Sequence, residues 1–288
     1  MSQHVRKVII PVAGYGTRFL PATKAQPKEM LPVVDKPVLQ YIVEEAVASG
    51  IEDIILVTSA TKRAVEDHFD RSPELENWLE KQGKTKALQE VRAIADLANF
   101  IFIRQKGPYG NGTPILNARH LIGDEPFAVI WGDEPIFSQT PRLRQLMQVY
   151  EEYQGPVLTG YEVDDEGTNK YGIIKSHQLK NNVYQVDDIV EKPGPEAAPS
   201  RLASLGGYIL TPEIFELLAD TTPGRGGEVW LVDAIAKLRQ TRPVYACKIE
   251  GTYYDLGSKL GWLQANVSLG LKHPELADPF RTFLKSIL

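Results

Sequence analysis

The chain has 288 residues, 43% hydrophobic and 24% charged, a globular composition that suggests one large α/β domain or a core with a sizeable insertion. A formal net charge of −5 argues against general nucleic-acid binding, and a single cysteine, Cys247, excludes an intramolecular disulfide or a cysteine zinc site. No stretch reaches the roughly 20 apolar residues of a membrane span, and the N-terminal apolar run is too short for a leader, so a soluble, cytoplasmic protein without a membrane partner is expected.

Val8–Val12 is an unbroken apolar run that suits a strand buried on both faces. Ala13–Pro32, rich in Gly, Thr, Pro and Lys, reads as a long loop of the kind that usually carries function. Asp35 is expected near the N-cap of a helix carrying Val38, Tyr41, Ile42 and Ala46, with Gly50 as its stop. Ile54–Thr58 reads as a second strand and Thr61–Phe69 as a second helix. This alternation argues for a parallel sheet covered by helices. Residues 70–98 spell one or two charged surface helices. A strand at Phe100–Arg104 and a helix at Thr113–His120 follow, Pro114 being tolerated in the first turn. Phe127–Trp131 is another buried strand, ending in Gly132-Asp133-Glu134, and Arg142–Tyr153 is helical. From Val157 strand-like segments crowd together, near 157–163, 171–176, 183–190 and 203–210, as in an antiparallel or mixed extension of the sheet. Helices near 212–219 and 228–239, a strand at 243–250 and helices near 258–271 and 275–288 complete the chain.

Five constellations carry polar chemistry. Ala13-Gly14-Tyr15-Gly16-Thr17-Arg18 follows a strand; its glycines expose backbone N–H donors to a phosphate, or simply make a turn. Phe19 stands where a dinucleotide fingerprint wants a third glycine, and no Gly-Lys-Ser/Thr ending marks a P-loop. Lys28 and Glu29 lie between Pro27 and Pro32, either as ligand contacts or as a solvated loop. Asp133, just beyond a strand end, is placed for Mg²⁺ with substrate phosphates or for a turn. Glu191-Lys192 is a sugar-phosphate contact or an exposed ion pair; Asp255 is a helix cap or a second metal carboxylate. The five histidines lack metal-ligand spacing, no Gly-x-Ser-x-Gly elbow is present, and Cys247 reads as a small core residue.

Together, Val12–Arg18, Lys24, Pro27–Pro32 and Asp35-Lys36-Pro37 resemble the sugar-1-phosphate nucleotidylyltransferases. Glu66–Asp70, Arg104-Gln105-Lys106, Lys170–Ile174, Glu191-Lys192-Pro193 and Gly226-Gly227-Glu228 are most similar to the branch that uses UTP and glucose 1-phosphate. The resemblance spans about residues 6–265.

It implies a Rossmann-like α/β fold, a mixed, mostly parallel sheet flanked by helices, in one domain covering 1–288. Within it, about 1–155 would bind nucleotide, about 156–265 sugar phosphate, and about 266–288 would form a helical tail. It further implies that Ala13, Gly14, Gly16, Thr17 and Arg18 cradle the nucleotide phosphates and Lys28 neutralises the α-phosphate region. Glu29 and Gln105 would read the base, with Gly110 against the nucleoside. Asp133 and Asp255 would hold Mg²⁺, Gly172, Glu191 and Gly206 the hexose, and Lys192 its phosphate. Arg18, Lys28, Asp133 and Lys192 would then be the catalytic set, in a homodimer or homotetramer. The reaction the resemblance implies, joining a nucleoside triphosphate to a sugar 1-phosphate with release of pyrophosphate, needs neither a covalent nucleophile nor a general base, which accords with the missing triad.

Three departures stand out. After Gly110 the chain reads Asn111-Gly112-Thr113-Pro114 where the branch often has Leu-Gly-His-Ala. Glu134 follows Asp133 where a second Asp is usual, and Trp230 and Val232 stand where Gln and Thr are frequent.

Overall fold

The computed structural model describes residues 4–221 and 227–287. Gly226 of the quoted motif and Leu288 of the terminal helix lie outside them. Strand β1 (Lys7–Pro11) leads into the long loop, which contains 3₁₀ turns at Thr17–Phe19, Ala22–Lys24 and Lys28–Met30. A short ribbon, β2 (Pro32–Val33) with β3 (Lys36–Pro37), precedes α1 (Val38–Ala48). Asp35 does not cap α1. Pro37 holds the N-cap position, no side chain bonds there, and Asp35 faces His273 at 3.3 Å. The reason is the β2–β3 turn, which carries Asp35 away behind Val34 at φ 61°. Gly50 does end the helix at φ 96°, donating to the Val47 carbonyl.

β4 (Asp53–Thr58), α2 (Arg63–Phe69), α3 (Pro73–Lys81), α4 (Thr85–Ala95) and β5 (Asn99–Arg104) follow as expected, the charged stretch forming two helices. The helix expected over 113–120 is broken at Ala118 into α5 (Thr113–Asn117) and α6 (Arg119–Ile122). β6 (Phe127–Val129), β7 (Ile136–Phe137), α7 (Arg142–Tyr153), β8 (Val157–Glu162), β9 (Gly172–Lys180) and β10 (Val183–Glu191) come next. Then come α8 (Gly194–Ala197), β11 (Leu202–Leu210), α9 (Ile214–Ala219), α10 (Leu231–Leu238), β12 (Tyr245–Lys248), β13 (Thr252–Tyr253), α11 (Lys259–Gly270) and α12 (Ala277–Ile287). α10 starts three residues later than expected, because Trp230 is extended and Val229 is held by backbone bonds to Tyr109 and Gly112.

Nine strands form one sheet in the order β5-β4-β1-β6-β11-β8-β12-β10-β9. β5, β4, β1 and β6 are parallel; β10 and β11 run against their neighbours. Side chains alternate across it: Val8, Ile10, Ile54 and Leu56 enter one core, while Ile9, Ile55 and Val57 enter the other. This two-sided burial is why these strands read as unbroken apolar runs.

β11 is where the sheet forks. One edge of it pairs with β6 through Tyr208–Leu210 and, further back, with β9 through Ala203 and Ser204. The pairing with β9 closes β11, β8, β12, β10 and β9 into a ring. Between the two halves sit Gly206 and Gly207, where the β11–β8 register shifts in a bulge. A third, small core of Val33, Val38, Leu256 and Ala265 fastens α11 to the β2–β3 ribbon.

Candidate active site

The loops after β1, β4, β5 and β6 all leave the carboxyl end of the sheet, and they line one cleft of about 700 Å³. In open α/β sheets this is where ligands bind, beside the point at which strand order reverses. Here β1 is that point, with β4 on one side and β6 on the other. Ala13, Gly14, Arg18, Lys28, Glu29, Gln105, Gly110 and Asp133 all line the cleft.

Gly16 adopts φ 66°, and a Cβ there would lie 2.9 Å from Lys28 Cβ. The turn therefore folds down onto the lysine. Gly14 lies over the far end of the same side chain, its missing Cβ 3.8 Å from Lys28 Cε. Thr17 opens the first 3₁₀ turn and is exposed. Arg18 reaches across to donate to the Gly257 carbonyl at 3.2 Å, tying the glycine loop to the segment that carries Asp255.

Lys28 Nζ donates to Asp133 Oδ2 at 2.6 Å, both side chains being mostly buried. Burial opposes the Lys28 charge, but Asp133, then Glu29 and Glu134, more than offset it and hold its pKa above 10.5. Glu29 is buried and accepts from Lys62 Nζ at 2.7 Å. Burial pushes the Glu29 carboxyl upward, against the pull of Lys62 and Lys28.

Gln105 extends the β4–β5 pairing through a bond to Thr58, which fixes its place at the cleft. Gly110 must be glycine. At φ 121° its Cβ would fall 2.2 Å from the Val229 carbonyl oxygen. The next residue explains one departure in the sequence: Asn111 Oδ1 accepts the Leu231 amide at 2.8 Å and so caps α10. Tyr15 and Tyr109 stand on opposite loops of the cleft with their hydroxyls 3.0 Å apart.

Glu134 follows Asp133 into the cleft. Its Oε2 accepts the Gly206 amide at 2.9 Å. Burial pushes its carboxyl up to about 7, helped by Asp133 and opposed by Gly206 and Arg142. Arg142, fully buried, grips both carboxylate oxygens of Glu45 and donates to the carbonyls of Glu134 and Gly206. Gly206 is buried beneath Trp131, whose Cδ1 would lie 2.0 Å from a Cβ. Sequence reasoning missed Glu134, Arg142, Glu45 and Lys62 as parts of the site. Only the arginine's place on the mostly apolar buried face of α7, which it shares with Gln145, gave a signal.

The residues expected to meet the hexose lie around the fork. Gly172 pairs with both Glu191 and Ser204, and a Cβ on it would sit 3.2 Å from Glu191 Oε2. Lys192, at φ 47°, lies 3.4 Å from Glu191 and both side chains are exposed. Asp255 Oδ1 accepts the Gly257 amide at 3.1 Å, while the cap of α11 is Ser258, bonded to the Gly261 amide.

Among the described residues no group of three or more His, Cys, Asp or Glu gathers to hold a metal. No helix among the described residues is long and apolar enough to cross a membrane.

The nucleotidyl transferase family model matches residues 7–270. The UTP–glucose-1-phosphate uridylyltransferase YngB of Bacillus subtilis is 51% identical over 288 residues, 100% of this chain and 97% of that one. The uridylyltransferase of the same name from Staphylococcus haemolyticus is 50% identical, over 99% of each chain. A UTP-bound UGPase from Acinetobacter baumannii superposes with a TM-score of 0.92 at 39% identity, covering 99% of this chain and 100% of that one. A UDP-glucose pyrophosphorylase complexed with UDP-glucose gives 0.85 at 42% identity, covering 93% and 100%. With the glycine loop, the Lys28–Asp133 pair and the strand order all falling inside the matched span, this chain belongs to the nucleotidyl transferase family.

Proposed function

We propose that the chain transfers the uridylyl group of UTP to glucose 1-phosphate, giving UDP-glucose and pyrophosphate. The observation that carries this reading is the Lys28–Asp133 contact in a cleft shared with Gly14, Gln105 and Gly110. A cation and a carboxylate that neutralise each other in the free protein can each take a substrate partner: Lys28 the α-phosphate, Asp133 the metal. The full-length uridylyltransferase relatives support the choice of substrates.

An oxygen of the glucose 1-phosphate attacks the α-phosphorus of UTP. The new P–O bond forms in line with the one that breaks, and pyrophosphate leaves with the electron pair. The attacking phosphate is already ionised, so no side chain removes a proton. Ala13, Gly14, Gly16 and Thr17 present the loop to the triphosphate; Arg18, Lys28 and Lys192 offset the charge of two approaching anions. Glu29, Gln105 and Gly110 receive the uridine, and Gly172, Glu191 and Gly206 frame the hexose. Asp133 and Asp255 would hold Mg²⁺, which supplies positive charge between the two substrates when bound.

The protein is further proposed to act in the cytoplasm as a homodimer or homotetramer. Leu260 and Leu263 on α11, with Phe283 and Ile287 on α12, leave apolar side chains exposed that a second copy would cover.

The test is pyrophosphate release with Mg²⁺ and glucose 1-phosphate, supplying UTP, dTTP, CTP, ATP and GTP in turn. The expected result is strong preference for UTP. Preference for dTTP would reassign the nucleotide, and silence with every nucleotide and every hexose phosphate would remove the reading.

A further inference from the structure

The two residues proposed to read the base are tied to one turn, the turn that joins β4 to α2. At its start the Thr58 carbonyl accepts the backbone amide of Gln105 at 2.8 Å. At its end Lys62 donates through Nζ to Glu29 Oε2 at 2.7 Å. Between them Ser59, Ala60 and Thr61 line the cleft with Gln105 and Glu29. Lys62 itself does not line it and its side chain is almost wholly buried, so it acts on a ligand only through Glu29. Its backbone is fixed as well as its tip. The Lys62 amide donates to the Ser59 carbonyl at 3.1 Å, and the Lys62 carbonyl accepts the Val65 amide at 2.9 Å as α2 begins.

Glu29 needs that partner. A carboxylate taken out of water gives up its charge unless a cation stands against it. Three charged groups act on Glu29: Lys62 from the start of α2, Lys28 from its own loop and Asp133 from beyond β6. Lys28 donates to Asp133 at 2.6 Å, so their effects oppose each other, and Lys62 is the cation bonded to Glu29. Burial pushes the Glu29 carboxyl upward, and Lys62 is the largest pull against it. The charge on Glu29 in turn decides which pyrimidine fits. Oε2 is engaged by Lys62, while Oε1 has no hydrogen-bond partner among the described residues and the side chain lines the cleft. The pairing edge of uracil presents N3–H, a donor; cytosine presents N3 as an acceptor in the same place. An ionised carboxylate only accepts, so it pairs with N3–H and repels the cytosine lone pair; a protonated one donates, which reverses the preference. Thymine presents the same edge as uracil, so the choice made here is against cytosine alone.

We infer that Lys62 is the positioning residue for base choice: it fixes Glu29 as a charged acceptor and so makes the site take uracil in preference to cytosine. This rests on the proposed uridylyl transfer, in which Glu29 meets the base.

The test is the ratio of the Kd values of CTP and UTP, measured by titration calorimetry on the full chain with Mg²⁺ and without sugar phosphate. Lys62→Met should cut the wild-type preference for UTP about tenfold or more, the worth of a hydrogen bond to a charged group. The preference should return as pH is raised, because Glu29 then loses its proton. Lys62→Arg, which keeps a cation against Glu29, should retain it. Lys62→Met strands a buried carboxyl, so the double variant Lys62→Met, Glu29→Gln is measured beside it. Its amide can present either an oxygen or an NH₂, and the lost preference should be the same. The ratio of dTTP to UTP should stay at the wild-type value throughout. The inference is overturned if either folded variant prefers UTP over CTP as wild type does. It is also overturned if UTP, dTTP and CTP all weaken by one factor, the mark of a merely structural lysine. A wild-type protein that makes no UDP-glucose removes the proposed function; a wild type that makes it, with Lys62 variants that still reject CTP, removes only the role of Lys62.

Discussion

Glu29 and Lys62 form a 2.7 Å ion pair in which both side chains are almost wholly buried, 1% and 4% exposed. Removing one partner strands the other's charge out of water. Lys62→Met should therefore destabilise the protein by about 3–5 kcal/mol. A urea midpoint equal to that of wild type would show that water reaches Glu29.

The Lys28 side chain keeps about a quarter of its surface exposed at the cleft and packs against glycines, so its removal should spare the fold. Lys28→Ala should lower kcat about 10²–10³-fold, the usual loss of one preorganised charge at a transition state. Unchanged melting with collapsed turnover is the expected pair of results. Near-normal turnover would take Lys28 out of the mechanism.

Tyr15 and Tyr109 bridge the cleft through their hydroxyls, from side chains 65% and 62% exposed. A bridge that must open for nucleotide to enter and leave acts on both rates. Tyr15→Phe should raise the association and dissociation rates of UTP by the same factor and leave Kd alone. Tyr109→Phe should do the same, and the double variant should add nothing further. Stopped-flow binding checks this; a change in Kd would make the pair a binding contact instead.

Far from the cleft, Glu76 on α3 bonds to Arg71 and Arg92, which hold its carboxyl down at about 2. A depressed pKa gives stability that is complete above the ordinary 4.5 and is lost as pH falls toward 2. The stability gap between wild type and Glu76→Gln should be constant above pH 4.5 and close below it. Parallel acid-unfolding curves would contradict the pairing.

The strands were legible because burial on both faces writes continuous apolar runs, as at Val8–Ile10 and Ile54–Val57. The loop of Ala13–Pro32 was legible by its glycines and prolines. Asp35 misled, because a cap needs the residue directly before the helix and the β2–β3 turn takes it elsewhere. The pairing of Glu29 with Lys62, and the reach of Arg142 to Glu45, were not legible. Each joins residues far apart in the chain, and only the packing of α2 and α7 on the sheet brings them together. Asn111 stood out only as a departure from the usual run after Gly110; the structure uses its side chain to begin α10.

The fork in β11 has a mechanical consequence. One continuous strand belongs to both halves of the molecule, so the gap between the proposed nucleotide and hexose sites is measured out along a single backbone. A hinge could vary that gap; a strand cannot. An extra residue between Ser204 and Tyr208 would displace the ring of β8–β12 by roughly 3.3 Å and turn alternate side chains over. β11 is in that sense a ruler, and the bulge at Gly206-Gly207 is its one graduation.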